Sequence, residues 1–532
     1  MPDAQWQLYT ALLSASLDES FCQIAGKPLA AFAGENLPSL RERIRDSDPA
    51  FVAKLAVYLR DNMNLRSLSF MVTAELAALH GDSQWIAPLL GRVLHQAAEI
   101  PEWMDHYTRA NRSAASPKSS FFKTGRFKPG NVKPDNSKPG DVKPANVKPG
   151  DVKPGKFKPG REVLKGLTLV LNRLDEYSFT RYTREEQLKL KKSLLLLRPK
   201  ARDKAQQNLF GKIAKDQLPA RTTWQQEWAV LQQQKYDSLE LQQATGRDKW
   251  KEGISSFRIG YAALLNHLPS ILTAGISGKA LKLAAEYLGN AAAIAGSGIS
   301  PFRFPEVYWK LKSMDQGGVP LLLDAMEQAI RHSARHLAGF EEHSRSVIAM
   351  DVSNSMKRPV SEGSTVQRFD IAPLLAMLLR SRGKQVTTGL IGNTWKGIDA
   401  TGQGILAGME SFRRREGEVG YAINSHLVIQ ELLKKAKIVD KVMIFTDCQL
   451  WDSRVFHQPA GTDLRRVWKQ YRQIAPEAKL YLFNLAGYGN KPLEVLKDGV
   501  ILISGWNENI FEVLKSVDQE SRTLAAINQV RI

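Results

Sequence analysis

Residues 346–356 read SVIAMDVSNSM and decide the fold of the C-terminal part of this chain. A continuous apolar run ends in Asp351 and is followed by Ser353 and Ser355, a pattern typical of a buried strand with polar side chains after its carboxyl end. A second apolar run, KVMIFTD, ends in Asp447. Because ligand sites of parallel α/β sheets lie at the carboxyl ends of the strands, we expect both aspartates at one edge of a sheet.

The same alternation extends over a C-terminal domain that we place at residues 343–532. Short β-rich runs such as QVTTGLIGN and KLYLFNLAG are separated by helical runs such as RFDIAPLLAMLLRSRG. Continuous apolar strands between helices predict a parallel, doubly wound, Rossmann-like α/β sheet.

Residues 1–117 and 162–342 have a helical pattern instead. Runs such as SLSFMVTAELAALHG place apolar residues three and four positions apart, and Gly or Pro ends each run. Many amphipathic helices without strands predict an α-solenoid, in which stacked helix pairs form an extended surface. The fold class predicted for the whole chain is therefore α + α/β, with helical repeats followed by an α/β domain.

A Lys-Pro-Gly repeat, which we place at residues 118–161, interrupts the helical region. Lys-Pro recurs every five residues, and the segment has 12 Lys and Arg residues against three Asp. One apolar residue in five cannot build a core, so we expect this insert to be extended or disordered. Three roles stay open, namely a tether for polyanions, a polyproline II ligand for an aromatic groove and a solubilising linker.

The composition indicates a polyanionic partner. The 532-residue chain has a formal net charge of +20 and a pI near 9.7, which favours nucleic acid first and an anionic membrane second. Its two cysteines, Cys22 and Cys448, form neither a zinc nor a disulfide pattern, so a reducing compartment fits best. The sequence has no signal-peptide pattern and no apolar run of about 18 residues. We therefore expect a soluble, cytoplasmic protein without a membrane partner.

The polar residues after the two strands are candidate metal ligands, namely Asp351, Ser353, Ser355 and Asp447. Carboxylate and hydroxyl oxygens suit Mg²⁺, with the rest of its octahedron filled by water or by a carboxylate or phosphate of a partner. The spacing resembles the metal-ion-dependent adhesion site (MIDAS) of von Willebrand A domains. On this resemblance we expect an A-domain that binds Mg²⁺.

One part of the metal-site pattern departs from that of the A-domains. Their middle loop supplies a threonine, whereas residues 419–427 here read VGYAINSHL, with Ala422 or a neighbour in its place. Asn424 or Ser425 is a substitute oxygen donor. The alternative is a weakened or empty metal site.

Three further stretches resemble the Ro autoantigen family, whose TROVE domain is a ring of HEAT-like helical repeats closed by a von Willebrand A domain. KWKEGISSFRIGYAALLNHL is similar to the W-x2-L-x6-(T/A)LLRNL helix of that family, and ISPFRFPEVYWKLKSM is similar to its I-H-P-(F/Y) segment. SLLLLRPKARDKAQ resembles its LLRLxHxKP segment. The likeness covers nearly the whole chain except the Lys-Pro-Gly insert, and it is loose in the N-terminal third.

The resemblance implies a non-catalytic RNA-binding protein. Its partners would be small structured noncoding RNAs of the Y-RNA type, on the outer surface of the ring, and single-stranded ends of misfolded RNAs within it. Bacterial relatives work with the exoribonuclease polynucleotide phosphorylase, so the implied role is that of an adaptor in RNA quality control or degradation. A closed ring favours a monomer.

The resemblance also implies an RNA-binding surface on residues 181–204. Arg181 and Arg184 fall near the basic pair of the family, Arg198 stands where the family has histidine, and Lys200 matches the lysine after it. Arginine in place of histidine puts the base-specific contacts of the family in doubt at this position. It is compatible with phosphate contacts, since a guanidinium binds phosphate bidentately. The cluster is enlarged by Lys191, Lys192, Arg202 and Lys204. A solvated helix face is the alternative reading of this charge run.

No catalytic residue is predicted. The sequence has no phosphate-binding GxxxxGK[ST] or GxGxxG loop, no HExxH and no GxSxG, and two-metal nucleases need more carboxylates than this site supplies. The rival function is a protein-binding scaffold whose A-domain metal captures an acidic partner without RNA. RNA binding would weaken steeply with salt, whereas capture through Mg²⁺ would be lost to EDTA.

Overall fold

The computed structural model describes residues 4–15, 36–115, 159–182, 184–218, 239–256, 259–335, 344–360, 364–382, 385–400, 402–446, 462–485, 499–505 and 510–532. Nearly all of the Lys-Pro-Gly insert and the predicted ligand Asp447 lie outside the described residues. The prediction of an extended insert and the proposed domain boundaries therefore stay predictions.

The helices before the insert are α1 (Ala4–Ala15), α2 (Asn36–Asp46), α3 (Pro49–Asp61), α4 (Arg66–His80), α5 (Ile86–Val93) and α6 (Ile100–Ala115). Local sequence signals set their ends. Asp48 caps α3 by accepting hydrogen bonds from the amides of Ala50 (3.2 Å) and Phe51 (3.1 Å), and Pro49 occupies the first helical position, where its missing amide is not needed. The apolar faces of α3, α4 and α5 pack together in one core.

The helices after the insert are α7 (Arg161–Leu171), α8 (Glu176–Arg181), α9 (Arg184–Leu197), α10 (Lys204–Ala214), α11 (Leu239–Ser255), α12 (Tyr261–Thr273), α13 (Gly278–Leu288), α14 (Ala291–Ser297), α15 (Phe304–Lys312) and α16 (Val319–Ala334). Helix α7 packs against α5, so the described helices on the two sides of the insert share a core. The predicted helical region is confirmed. No helix within the described ranges is long and apolar enough to cross a membrane.

The C-terminal part contains a six-stranded sheet with strand order β3-β2-β1-β4-β5-β6. Its strands are β1 (Ser346–Asp351), β2 (Val386–Ile391), β3 (Trp395–Ile398), β4 (Lys441–Thr446), β5 (Lys479–Asn484) and β6 (Val500–Ser504). Its helices are α17 (Arg368–Arg382), α18 (Ile405–Arg413), α19 (His426–Lys434), α20 (Thr462–Ile474), α21 (Ile510–Asp518) and α22 (Glu520–Asn528). The predicted α/β fold is confirmed.

One strand differs from the purely parallel sheet that the sequence predicts. Strand β3 pairs with β2 in the antiparallel direction, with Ile391 opposite Trp395. The connection between them, residues 392–394, is too short for the crossover that a parallel neighbour needs. The sheet is therefore mixed, with β3 at its edge.

Helices cover both faces of the sheet. Ile348 and Met350 of β1 belong to the core that includes α17, α18 and the helical region, whereas Val347 and Ala349 belong to a second core with α19 and α20. This alternation follows from the two-residue period of a strand. The first face of the sheet thus joins the two parts of the chain.

The helical region contacts the α/β part at both of its ends. Near the N-terminus, α1 packs against β6, and the Tyr9 hydroxyl lies 2.5 Å from Ser516 Oγ. At the other end, the Glu327 carboxylate of α16 accepts hydrogen bonds from the amides of Ile405 (2.5 Å) and Leu406 (2.9 Å), at the start of α18. These two contacts close the helical repeats into a ring through the α/β domain.

Candidate metal centre and nucleic-acid interface

Asp351 is fixed at the carboxyl end of the central strand β1. It is fully buried, and its two carboxylate oxygens accept different hydrogen bonds. Oδ1 accepts the amide of Ser353 at 2.7 Å, and Oδ2 accepts the hydroxyl of Thr446 at 2.7 Å. Because Thr446 ends the neighbouring strand β4, these bonds orient the carboxylate across the edge of the sheet.

Ser353 and Ser355 lie together beside this carboxylate. A 3-10 turn, Asn354–Lys357, follows Ser353 and begins with the hydrogen bond from the Met356 amide to Ser353 O (2.9 Å). The turn brings Ser353 Oγ within 3.0 Å of Ser355 Oγ, with Ser353 buried and Ser355 half-buried. The D-x-S-x-S spacing therefore brings the two hydroxyls together directly after the strand that ends in Asp351.

The middle loop, which we define as residues 416–425, is anchored to the same edge of the sheet. The side-chain oxygen of Asn393 accepts the amide of Ala422 at 3.0 Å, just beyond the end of β2. A Cβ on Gly392 would lie 2.3 Å from Gly420 O, and Gly420 has a φ of 74°. Both glycines are needed because the two backbone segments approach this closely. The loop therefore reaches the metal-site edge without a threonine.

Ser425, one of the two predicted substitutes for the missing threonine, has a buried hydroxyl. Its side chain is 3% exposed, and its hydroxyl has no hydrogen-bond partner among the described residues. An unsatisfied buried hydroxyl costs about 1–3 kcal/mol, so a ligand would relieve this strain on the fold. The amide of the neighbouring Asn424 instead donates to Gly392 O at 3.2 Å. Both substitutes that the sequence leaves open thus stand next to each other in this loop, and Ser425 is the one with a buried hydroxyl that no described residue engages.

Two further interactions at this edge escaped the sequence reasoning. Lys357 Nζ lies 2.9 Å from the Glu416 carboxylate and 4.8 Å from the centre of the Tyr421 ring. The hydrogen bond that Lys357 donates to the Glu416 carboxylate raises the pKa of Lys357 above its usual value. These contacts join the serine turn to the middle loop, and no sequence signal pairs residues so far apart. The support of Asp351 by Thr446 was missed as well, although Thr446 directly precedes Asp447.

The donor set suits a hard cation. The buried carboxylate of Asp351, the serine pair and the Ser425 hydroxyl are all oxygen donors, and oxygen is what Mg²⁺ requires. The described ranges contain no group of three or more His, Cys, Asp or Glu residues placed to hold a metal ion. The fourth predicted ligand, Asp447, lies outside them.

A second candidate site is the cationic turn, which we define as residues 198–204, between α9 and α10. Asn172 holds this turn from both sides, since its Nδ2 donates to Lys200 O (3.0 Å) and its Oδ1 accepts the amide of Arg202 (3.1 Å). Arg198 has a φ of 46°, which ends α9 immediately before Pro199. The turn is thus a rigid support for basic side chains.

The structure divides the predicted RNA-binding residues into two groups. Asp216 pairs with both Arg184 (3.2 Å) and Lys191 (3.0 Å), and these cations hold its pKa below the usual value, Lys191 with the larger effect. Arg202 pairs with Asp203 at 3.0 Å. Among the predicted residues, the exposed cations that have no ion-pair partner within the described part of the chain are Lys192, Arg198, Lys200 and Lys204. The side chain of Arg181 lies outside the described residues.

The comparison with solved structures bears on the whole chain. The crystal structure of the Deinococcus radiodurans Ro (RSR) protein matches with a TM-score of 0.56 and 16% sequence identity. The match covers 92% of this chain and 93% of that one. This chain has the Ro fold. No protein-family model and no curated protein matches its sequence.

Because the Ro-like match covers nearly all of both chains, it includes the helical region as well as the mixed sheet. The recognition of a Ro-like fold from residues 346–356 and from the three helical stretches is therefore confirmed. At this level of identity the likeness concerns the fold, and the residues of the metal centre and of the cationic turn are argued from their own geometry.

Proposed function

We propose that this Ro-like chain binds structured RNA through the cationic turn and the adjoining face of α9. The observation that carries the proposal is the group of four exposed cations without ion-pair partners in the described structure, Lys192, Arg198, Lys200 and Lys204. A cation that is already paired with a carboxylate must give up that ion pair when it binds phosphate. These four cations have no such ion pair to give up, so they bind phosphate without this cost. Asn172 holds the backbone of the turn at Lys200 and Arg202, so the turn presents its basic side chains from a fixed position for contacts with phosphates.

The finer form of the proposal concerns the kind of RNA. We propose small structured noncoding RNAs of the Y-RNA type on this surface, with single-stranded ends of misfolded RNAs as a second class. The chain would then act as a non-catalytic adaptor in RNA quality control, with an exoribonuclease such as polynucleotide phosphorylase as partner. The high positive net charge and the ring closure support this role.

We further propose that the A-domain edge binds Mg²⁺. Asp351, Ser353, Ser355 and Ser425 would hold the ion, with Asp447 as the remaining candidate. Bound Mg²⁺ supplies an open coordination position for a carboxylate or phosphate of a partner. The hydroxyl of Thr446 orients the Asp351 carboxylate by donating a hydrogen bond to it. The ion pair between Lys357 and Glu416 links the turn Asn354–Lys357 to the middle loop.

The test of the RNA proposal is a charge-matched comparison. The test variant replaces Lys192, Arg198, Lys200 and Lys204 by Ala. The control variant replaces four other exposed cations by Ala, namely Lys279, Lys282, Arg522 and Arg531. Both variants lose the same charge, so a difference between them reports the location of the contacts.

The readout is the affinity for a small structured RNA over a range of salt concentrations. Each lost phosphate contact lowers the slope of log affinity against log salt by about 0.7–0.9, so the test variant should lose about 3. The control should keep the slope of the native chain. Equal slopes in both variants would refute the assignment of the surface. RNA-independent binding of an acidic protein that EDTA abolishes would support the scaffold alternative instead.

A further inference from the structure

A polar cavity of about 430 Å³ opens between the end of α5 and the beginning of α9. Its walls include His95, Gln96, Arg173, Ser178, Tyr182 and Glu186. The volume falls within the range of small-ligand sites, roughly 300–1,000 Å³. Neither the metal centre nor the cationic turn uses these side chains.

Hydrogen bonds between neighbouring segments hold the walls of the cavity in place. Arg173 Nη1 donates to Gly91 O (2.7 Å) and Leu94 O (3.3 Å), which ties the end of α7 to the end of α5. The Glu99 carboxylate accepts the amides of His95 (2.8 Å) and Gln96 (3.2 Å). Because Glu99 also pairs with the buried Arg60, this wall cannot shift without breaking a buried ion pair.

The chemistry of the cavity fits a nucleobase better than a phosphate. Tyr182 supplies an aromatic ring, which Phe179 supports edge-on with 6.4 Å between the ring centres. The Glu186 carboxylate would repel a phosphate, but it accepts hydrogen bonds from the amino group of a base. Gln96 and Ser178 add donors and acceptors of the kind that read base edges.

The cavity lies beside the proposed RNA-binding surface. Arg173, which lines the cavity, directly follows Asn172, whose side chain holds Lys200 and Arg202 of the cationic turn. We infer that this cavity receives one unpaired nucleobase of the RNA bound on α9, stacked on Tyr182 with Glu186 at its edge. The inference rests on the proposed function and deepens it, since proteins recognise RNA sequence at unpaired bases that stack on aromatic side chains.

The test compares two RNA hairpins that differ only in one unpaired nucleotide in the stem. The native chain should bind the hairpin with the unpaired nucleotide more tightly than the fully paired one. Tyr182→Ala should weaken binding of that hairpin by about 5- to 150-fold and leave the fully paired hairpin unchanged. Tyr182→Phe keeps the aromatic ring and should retain the preference for the hairpin with the unpaired nucleotide. That result would show that the weaker binding of the Ala variant comes from loss of the ring and not from unfolding.

The matched control is Tyr177→Ala, because Tyr177 is 57% exposed on the neighbouring helix α8 and does not line the cavity. It should leave both affinities unchanged. An equal effect of Tyr182→Ala on the two hairpins, or no effect on either, would overturn the inference.

A titration with free nucleoside 5′-monophosphates separates this inference from the proposed function. One outcome is that a nucleotide shifts the NMR signals of the Tyr182 and His95 rings although the chain binds neither hairpin. This would support a nucleobase in the cavity and reject RNA binding by the cationic turn. Binding of both hairpins with equal affinity and no response to any mononucleotide would reject the cavity alone.

Discussion

Asp370 is a buried carboxylate between the two parts of the chain, and its replacement by Asn gives a pH-dependent prediction. The residue is 1% exposed in the first turn of α17. Its Oδ2 accepts the amide of Gln367 at 2.8 Å and lies 3.5 Å from Arg413 Nη1. The Arg413 guanidinium also lies over the ring of Trp309 on α15, 4.4 Å from its centre. A change at Asp370 thus reaches the contact between the ring helices and the α/β domain.

Burial dominates the acidity of this group. It raises the pKa of the Asp370 carboxyl from 3.8 to about 6, although the Gln367 amide and the charge of Arg413 act in the opposite direction. A pKa difference costs about 1.4 kcal/mol per unit, so ionised Asp370 destabilises the folded chain by about 3 kcal/mol at neutral pH. The folded pKa lies above the unfolded one. Between pH 4 and pH 6, Asp370 is largely ionised in the unfolded chain but still largely protonated in the folded chain. The free energy of unfolding therefore falls as pH rises from about 4 to about 6.

Asp370→Asn removes this titration and keeps an acceptor for the Gln367 amide. We expect the variant to be more stable than the native chain by about 2–3 kcal/mol near pH 7.5, with the gain disappearing near pH 4. Urea denaturation of both chains at several pH values between these limits measures the difference. A difference that does not change with pH, or a variant that is less stable only at neutral pH, would refute the burial argument.

Four further variants have expected outcomes. In isothermal titration with Mg²⁺, Ser425→Ala should lower the affinity roughly tenfold, and Asp351→Ala should abolish the heat of binding. An isotherm of Ser425→Ala that equals that of the native chain would exclude Ser425 as a ligand. Glu327→Ala removes the acceptor for two amides of α18 and should destabilise the chain to urea by about 1–3 kcal/mol, whereas the exposed Glu42→Ala should not. Arg198 has a positive φ, which glycine adopts without strain, so Arg198→Gly should raise the free energy of unfolding. The same variant should weaken RNA binding because it loses a cation. A lower free energy of unfolding would contradict the assigned backbone conformation.

Local sequence predicted the secondary structure around those candidate metal ligands that lie close together in the chain. The apolar run before Asp351 specifies a buried strand, and the two-residue spacing places Ser353 at the start of the following turn and Ser355 within it. The helical region was equally readable, because its apolar residues recur with the period of a helix. The hairpin partner of β2 was missed, since WKGI is too short to carry a strand pattern.

The sequence by itself determined a basic, two-part chain with helical repeats, an α/β domain and an acidic-hydroxyl cluster after its first strand. Only the tertiary structure decided which hydroxyl of the middle loop is buried without a partner among the described residues and which predicted cations of α9 and its turn have no carboxylate partner there. The reason is physical. Periodicity and strand ends depend on neighbouring residues, whereas the burial of Ser425 and the capture of Arg184 and Lys191 by Asp216 depend on segments that meet only after folding.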